Sequence, residues 1–212
     1  MARLQFSGKL DGNNYEGMPV TGRVTSFYGV VRPELSQGKG HSGVDIAAVE
    51  GTPVLAPMDG EVNDQFTTEE TVAWRQNVAG IFGNCVMLRH ADADGSLLGF
   101  TLYAHFSGHP QVKRGDQIKR GDLLGVVGST GQSTGPHLHW GCTVADNPYF
   151  SRSKGLNDAF NFLESDTEAV SIKQANYDEQ QANANDLIDS GQSIMNDLID
   201  TLQGKVEDMG VN

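Results

Sequence analysis

FTLYAHF, residues 100–106, is the stretch on which the fold turns. Side chains alternate along a strand, so Thr101, Tyr103 and His105 should share one face and Leu102, Ala104 and Phe106 the other. Runs of the same character recur as VTSFYGVV from Val24, TPVLAP from Thr52, CVMLRH from Cys85 and LLGVVG from Leu123. Short stretches rich in β-branched and aromatic residues, separated by Gly-Asp and Gly-Ser turns, predict a mainly β domain built on an antiparallel sheet. Lys-Arg-Gly-Asp occurs at 113–116 and again at 119–122, marking two tight turns around a very short strand, Gln117–Ile118. Residues 63–80 read as a longer insertion between strands, with a helical turn in TEETVAWRQ and room to line a groove.

The character of the chain divides it into an N-terminal arm (1–17), a β domain (18–164) and an acidic helical tail (165–212). In the tail NDLID at 185–189 recurs at 196–200. Ile188, Met195, Ile199, Leu202, Val206 and Met209 fall at alternating three- and four-residue steps, with Gln192 interrupting. Such a narrow apolar seam predicts an α-helical extension that docks on a partner, on a second copy, or back on its own domain. Gly191 and Gly204 weaken it as a free-standing helix.

Composition excludes several classes. With 212 residues the chain can build one substantial core and an appendage. A net charge of −12 argues against a nucleic-acid surface. Lys113, Arg114, Lys119 and Arg120 are the one local basic patch, and solvated turns explain them equally well. No run of about 20 apolar residues is present to span a bilayer. The opening MARLQFSGKLDGNNYEG lacks the apolar centre of a standard secretory signal, so the expectation is a protein made in the cytoplasm and released or delivered to its target. Cys85 and Cys142 form no disulfide framework and lack metal-finger spacing, so they are read as free, partly buried thiols.

The chemistry lies in the histidines. His41 and Asp45 in GHSGVDIAA and His139 in STGPHLHW are ligand types at spacings that suit a catalytic zinc, which takes three protein ligands and keeps a fourth position open. His137 and His139 point to the same side of a strand, with Leu138 going to the core. Ser42, Gly43 and Val44 disfavour a helix between His41 and Asp45, so that pair is expected in an extended or looped segment. If the strand of FTLYAHF lies beside that of HLHW, His105 and His137 converge on the open position, one to move a proton and one to stabilise an oxyanion. His90 at a strand end and His109 in a Ser-Gly-His-Pro turn fit the ordinary roles of buried or surface histidines.

Three segments, GHSGVDIAAVEGTPVLAPMDGEV, LYAHFS and VKRGDQIKRGDLLGVVGSTGQSTGPHLHW, resemble the M23 zinc endopeptidases of the lysostaphin and LytM type, in order, across residues 20 to 150. The resemblance implies an antiparallel β fold with a substrate groove across the sheet and one Zn2+ per chain on His41, Asp45 and His139. It implies catalytic roles for His105 and His137, substrate contacts at Asn84 and Tyr103, and the peptide part of peptidoglycan as substrate. The sequence departs from the pattern after HLH, where Trp140, Gly141 and Cys142 stand, and in the 63–80 insertion and the tail. The expected setting is a bacteriophage virion or tail component, or a lysis enzyme. The rival reading is a catalytically silent scaffold or binding module that keeps the fold.

Overall fold

The HLHW segment forms the middle of the sheet. In the computed structural model, which describes residues 4–31, 40–144 and 156–163, strand β11 (His137–Thr143) pairs on one side with β4 (Gly43–Ala47) and on the other with β8 (Leu97–Phe106). The sheet continues outward from β4 through β3 (Gly22–Ser26), β2 (Asn14–Gly17) and β1 (Gly8–Asp11). On the other flank it continues from β8 through β7 (Asn84–Ala91) and β6 (Gly60–Phe66) to β9 (Gln117–Ile118). β5 (Pro53–Leu55) and β10 (Leu123–Val126) make a separate antiparallel pair, and β12 (Leu156–Asn157) adds to the far end of β11. Each pairing between these strands is antiparallel, as the short, turn-punctuated runs predict, and an isolated bridge from Phe6 to Leu163 is parallel.

The pleat sorts residues between two faces. Val44 and Ile46 of β4, Leu138, Trp140 and Cys142 of β11 and Tyr103 of β8 enter one core, with Phe6, Tyr15 and Phe160 gathered around the Trp140 ring. Leu102 and Ala104 of β8 and Cys85 and Met87 of β7 enter a smaller core on the opposite face, covered by helix α1 (Ala73–Phe82) through Ala79 and Phe82. That second face also carries Asp45, His137 and His139, since they alternate with first-face residues. Trp140, a departure from the family pattern, fills the centre of the first core and is fully buried.

Turn chemistry holds the ends in place. Gly115 and Gly121 have φ of 88° and 90°, as the third residue of a type II turn requires. In each turn the Asp carboxylate accepts the Lys N–H three residues earlier, Asp116 from Lys113 and Asp122 from Lys119. The repeat predicted from sequence is therefore two copies of one turn, with β9 between them. The helical turn expected in the insertion is a helix of 10 residues. Arg75 fastens it, pairing with Glu70 at 2.8 Å and Asp64 at 3.1 Å while its guanidinium lies 4.4 Å above the Phe66 ring.

The N-terminal residues are part of the sheet. Leu4, Phe6, Leu10 and Tyr15 are buried in the first core, and Phe6 donates its N–H to the Phe162 carbonyl. The boundary at residue 17 thus cuts through packed structure. The acidic tail at 165–212 lies outside the described residues.

Candidate active site

Two strands deliver the ligand-type side chains. In the β4–β11 ladder Asp45 stands directly opposite His139 and both point to the second face. His41 precedes β4 and reaches back to the same spot. No helix intervenes between His41 and Asp45, in line with the extended segment expected. The three atoms that meet there are His41 Nε2, Asp45 Oδ1 and His139 Nδ1. They stand 3.1 Å (His41 to Asp45), 3.0 Å (His139 to Asp45) and 3.1 Å (His41 to His139) apart. All three residues are buried.

Hydrogen bonding shows what this triangle needs. His41 Nδ1 lies 3.1 Å from the Phe27 carbonyl, which can only accept, so Nδ1 carries the proton. A neutral His41 then turns the bare lone pair of Nε2 towards a carboxylate oxygen. Such a contact is repulsive unless a cation, a proton or a metal ion, lies between. Tetrahedral zinc with bonds of 2.0–2.1 Å would separate its ligand atoms by about 3.3 Å, close to the triangle found. The donor set, two imidazoles and one carboxylate, is also one that zinc accepts. The site therefore fits a metal ion. Burial alone would raise the Asp45 carboxyl, yet His41 and His139, when they carry a proton towards it, hold it well below the usual carboxylate range, so the carboxylate draws a cation into the triangle. Burial pushes His139 down as well, against the pull of Asp45. Gly43 crosses this floor so closely that a Cβ would lie 2.5 Å from the Trp140 carbonyl and 2.8 Å from His139 Nε2. No larger residue fits there.

Two further histidines stand beside the triangle. The His105 and His137 rings are 4.6 Å apart, and His105 is 5.9 Å from His139. His137 Nε2 is 3.6 Å from Asp45 Oδ1. His105 Nδ1 donates to the Thr130 carbonyl at 2.7 Å and His137 Nδ1 donates to that of Gly135 at 2.8 Å. One loop, residues 128–136, thus orients both rings through Nδ1 and leaves each Nε2 turned away from that loop, that of His137 towards Asp45. Burial, followed by the neighbouring His139 and His137, lowers His105 to about 3.

His105 does not arrive by strand alternation. Strict alternation would place it with Tyr103, in the first core. At His105 the backbone is left-handed, with φ of 66°, which turns the imidazole to the second face and sends Phe106 to the first. That conformation costs a non-glycine residue roughly 1–2 kcal/mol, and such strain concentrates at functional sites. The face assignment read from FTLYAHF is therefore corrected at its last two residues.

The chain belongs to Peptidase family M23. The family profile matches residues 39–150, more than half of the chain. Over 138 residues the chain is 38% identical to the DD-carboxypeptidase/endopeptidase Mpg of Neisseria meningitidis, a match covering 65% of this chain and 28% of that protein. It is 36% identical over 120 residues to the peptidoglycan DD-endopeptidase ShyC of Vibrio cholerae, covering 56% of this chain and 24% of that protein. Among solved structures, the catalytic domain of the antimicrobial peptidase lysostaphin from Staphylococcus simulans superposes with a TM-score of 0.53 at 31% identity, covering 68% of this chain and 92% of that one. The match thus spans only about a quarter of the length of these curated M23 relatives.

Asn84 and Tyr103, expected as substrate contacts, are placed elsewhere. Tyr103 is fully buried in the first core, hydrogen-bonded to Thr101 at 2.9 Å. Asn84 is buried too, accepting the Thr68 N–H at 2.9 Å, while its own N–H donates to Thr130 Oγ1 at 3.0 Å. Asn84 thereby braces the loop that orients His105. Phe82, at the end of α1, packs 5.5 Å from the His139 ring, so the helix that begins in the 63–80 insertion ends against this cluster, two residues beyond it. Thr130, Ser133 and Gly135 were not singled out as orienting groups; their only sequence signal is their place within the STGQSTGPHLHW segment. His90 is a satisfied core histidine. His109 is exposed and lies 3.5 Å from Glu69.

Proposed function

We propose that the chain is a zinc-dependent endopeptidase that cleaves the peptide part of peptidoglycan. The observation that carries this is the meeting of His41 Nε2, Asp45 Oδ1 and His139 Nδ1 at 3.0–3.1 Å, beside two histidines whose Nδ1 protons are held by backbone carbonyls. His41, Asp45 and His139 hold the ion. A bound Zn2+ supplies polarisation of a carbonyl and acidification of water. With Nδ1 committed, His105 and His137 each work through Nε2, one accepting the proton of the attacking water while the other donates to the developing oxyanion or the leaving amine. The names of Mpg, a DD-carboxypeptidase/endopeptidase, and ShyC, a peptidoglycan DD-endopeptidase, favour a DD bond as the one cut.

Metal content measured by mass spectrometry, together with amino groups released from purified peptidoglycan with and without chelator, tests this reading. One zinc per chain and chelator-sensitive release is the expected result. Bound zinc without release from any wall type would replace the enzyme with a silent scaffold. Absence of both would remove the metal reading as well. The acidic segment 165–212 with its apolar seam supports delivery by docking to an assembly, such as a phage virion or tail. Deleting it should leave cleavage of isolated peptidoglycan intact while abolishing co-sedimentation with particles.

A further inference from the structure

The β3–β4 pairing slips by one residue beside the metal site. Val24 pairs with Ile46, but Ser26, not Thr25, pairs with Asp45. The extra residue is a bulge, and bulges re-aim the side chains that follow them. Val24 lies in the first core. In a regular strand Ser26 would share that face. The slip instead turns Ser26 to the second face opposite Asp45. There its hydroxyl is buried at 2% exposure and lies 3.1 Å from His41 Nδ1, beside the Phe27 carbonyl at the same distance.

We propose that Ser26 is a positioning residue for the metal site: the bulge at Thr25 exists to place the Ser26 hydroxyl and the Phe27 carbonyl together on His41 Nδ1–H. Two acceptors on one proton fix both the tautomer and the angle of the ring. Nε2 is thereby kept deprotonated and aimed at the point shared with Asp45 and His139. Phe27 alone could hold the tautomer. The second acceptor removes the ring's remaining freedom to swing about the Phe27 contact. The physical reason for such an arrangement is general, since a ligating imidazole is as well placed as the group on its other nitrogen. This inference rests on the metal-binding reading above.

The test is zinc affinity, measured by competition with a chromophoric chelator on the full chain, for wild type, Ser26→Ala and Ser26→Thr. Loss of an outer partner weakens metal binding by about 10- to 100-fold, and the retained Phe27 carbonyl puts Ser26→Ala near the lower end. Ser26→Thr, which keeps the hydroxyl, should restore most of the affinity. Co2+ bound to Ser26→Ala should show shifted visible bands at an unchanged unfolding midpoint of the metal-free protein, an effect that a purely structural role would not produce. Wild-type affinity and wild-type Co2+ bands in Ser26→Ala would overturn the proposal while leaving the metal site intact. Failure of the wild type itself to bind zinc would overturn both. Nitrogen NMR of the zinc-loaded wild type is independent of any variant's folding: His41 should carry its proton on Nδ1, and a proton on Nε2 would sink the idea.

Discussion

The sheet carries buried histidine on each face, a lone His90 with Thr101 and Tyr103 on the first and a cluster on the second, and the two surroundings have opposite electrostatics. On the first face His90 donates from Nδ1 to the Asp59 carbonyl at 2.7 Å, and its Nε2 meets the Thr101 hydroxyl at 2.8 Å, which in turn bonds Tyr103. Every partner suits a neutral ring, and burial lowers His90 to about 4. On the second face His41 Nε2, Asp45 Oδ1 and His139 Nδ1 turn towards one point. Burial is common to both; what makes the second a candidate metal site is that three ligand-type atoms meet there at 3.0–3.1 Å.

The largest expected effect separates the two outright. Under the proposed function, His41→Ala or His139→Ala should lose bound zinc and all measurable hydrolysis, whereas His90→Gln should keep one zinc per chain. Retention of zinc by either ligand variant, read by mass spectrometry, would break the comparison. Next in size, His105→Ala should keep its zinc and lose about 10²- to 10⁴-fold in turnover, the range for a lost general acid or base. A zinc-free His105→Ala would move His105 into the ligand set.

The first-face histidine should show itself in acid stability. His90 has a folded pKa of about 4, below the unfolded value, so the unfolded chain binds the extra proton between about pH 6.5 and 4. Stability is therefore full above about 6.5 and falls as the pH drops towards 4, by on the order of 3 kcal/mol from this group. Urea midpoints at pH 7 and pH 5 should differ less in His90→Gln than in wild type; equal differences would show that His90 does not set the slope. Smallest of all, Tyr103→Phe removes one hydroxyl from the first core and should cost about 1 kcal/mol in thermal unfolding with hydrolysis unchanged. A marked loss of turnover at unchanged stability would return Tyr103 to the substrate groove.

Legibility from sequence differed by element. The ligand-type residues on β4 and β11 were readable because they sit in regular strands, where HLH must present both imidazoles to one side and Asp45 must oppose the flanking Val44 and Ile46. The full length of α1 is not legible because what fastens it is the pairing of Arg75 with Asp64 on β6, a tertiary contact between helix and sheet. The N-terminal arm was misjudged for the same reason: Phe6 finds Trp140 and Phe162 only after the chain has closed.

The sequence by itself determined the β class, the paired turns, the five candidate residues that the fold brings together and the family to which the chain belongs. Those depend on residue type and on a period of two, which are local properties. Only the tertiary structure decided that His105 leaves its strand's alternation, that Ser26 is turned onto His41, and that Tyr103 goes inward. A left-handed residue and a bulge arise where a strand must fit partners far away in the chain. The Thr130 carbonyl that holds His105 and the Asp45 backbone opposite Ser26 are such partners. Alternation is written along the chain; its interruptions are set by the neighbours.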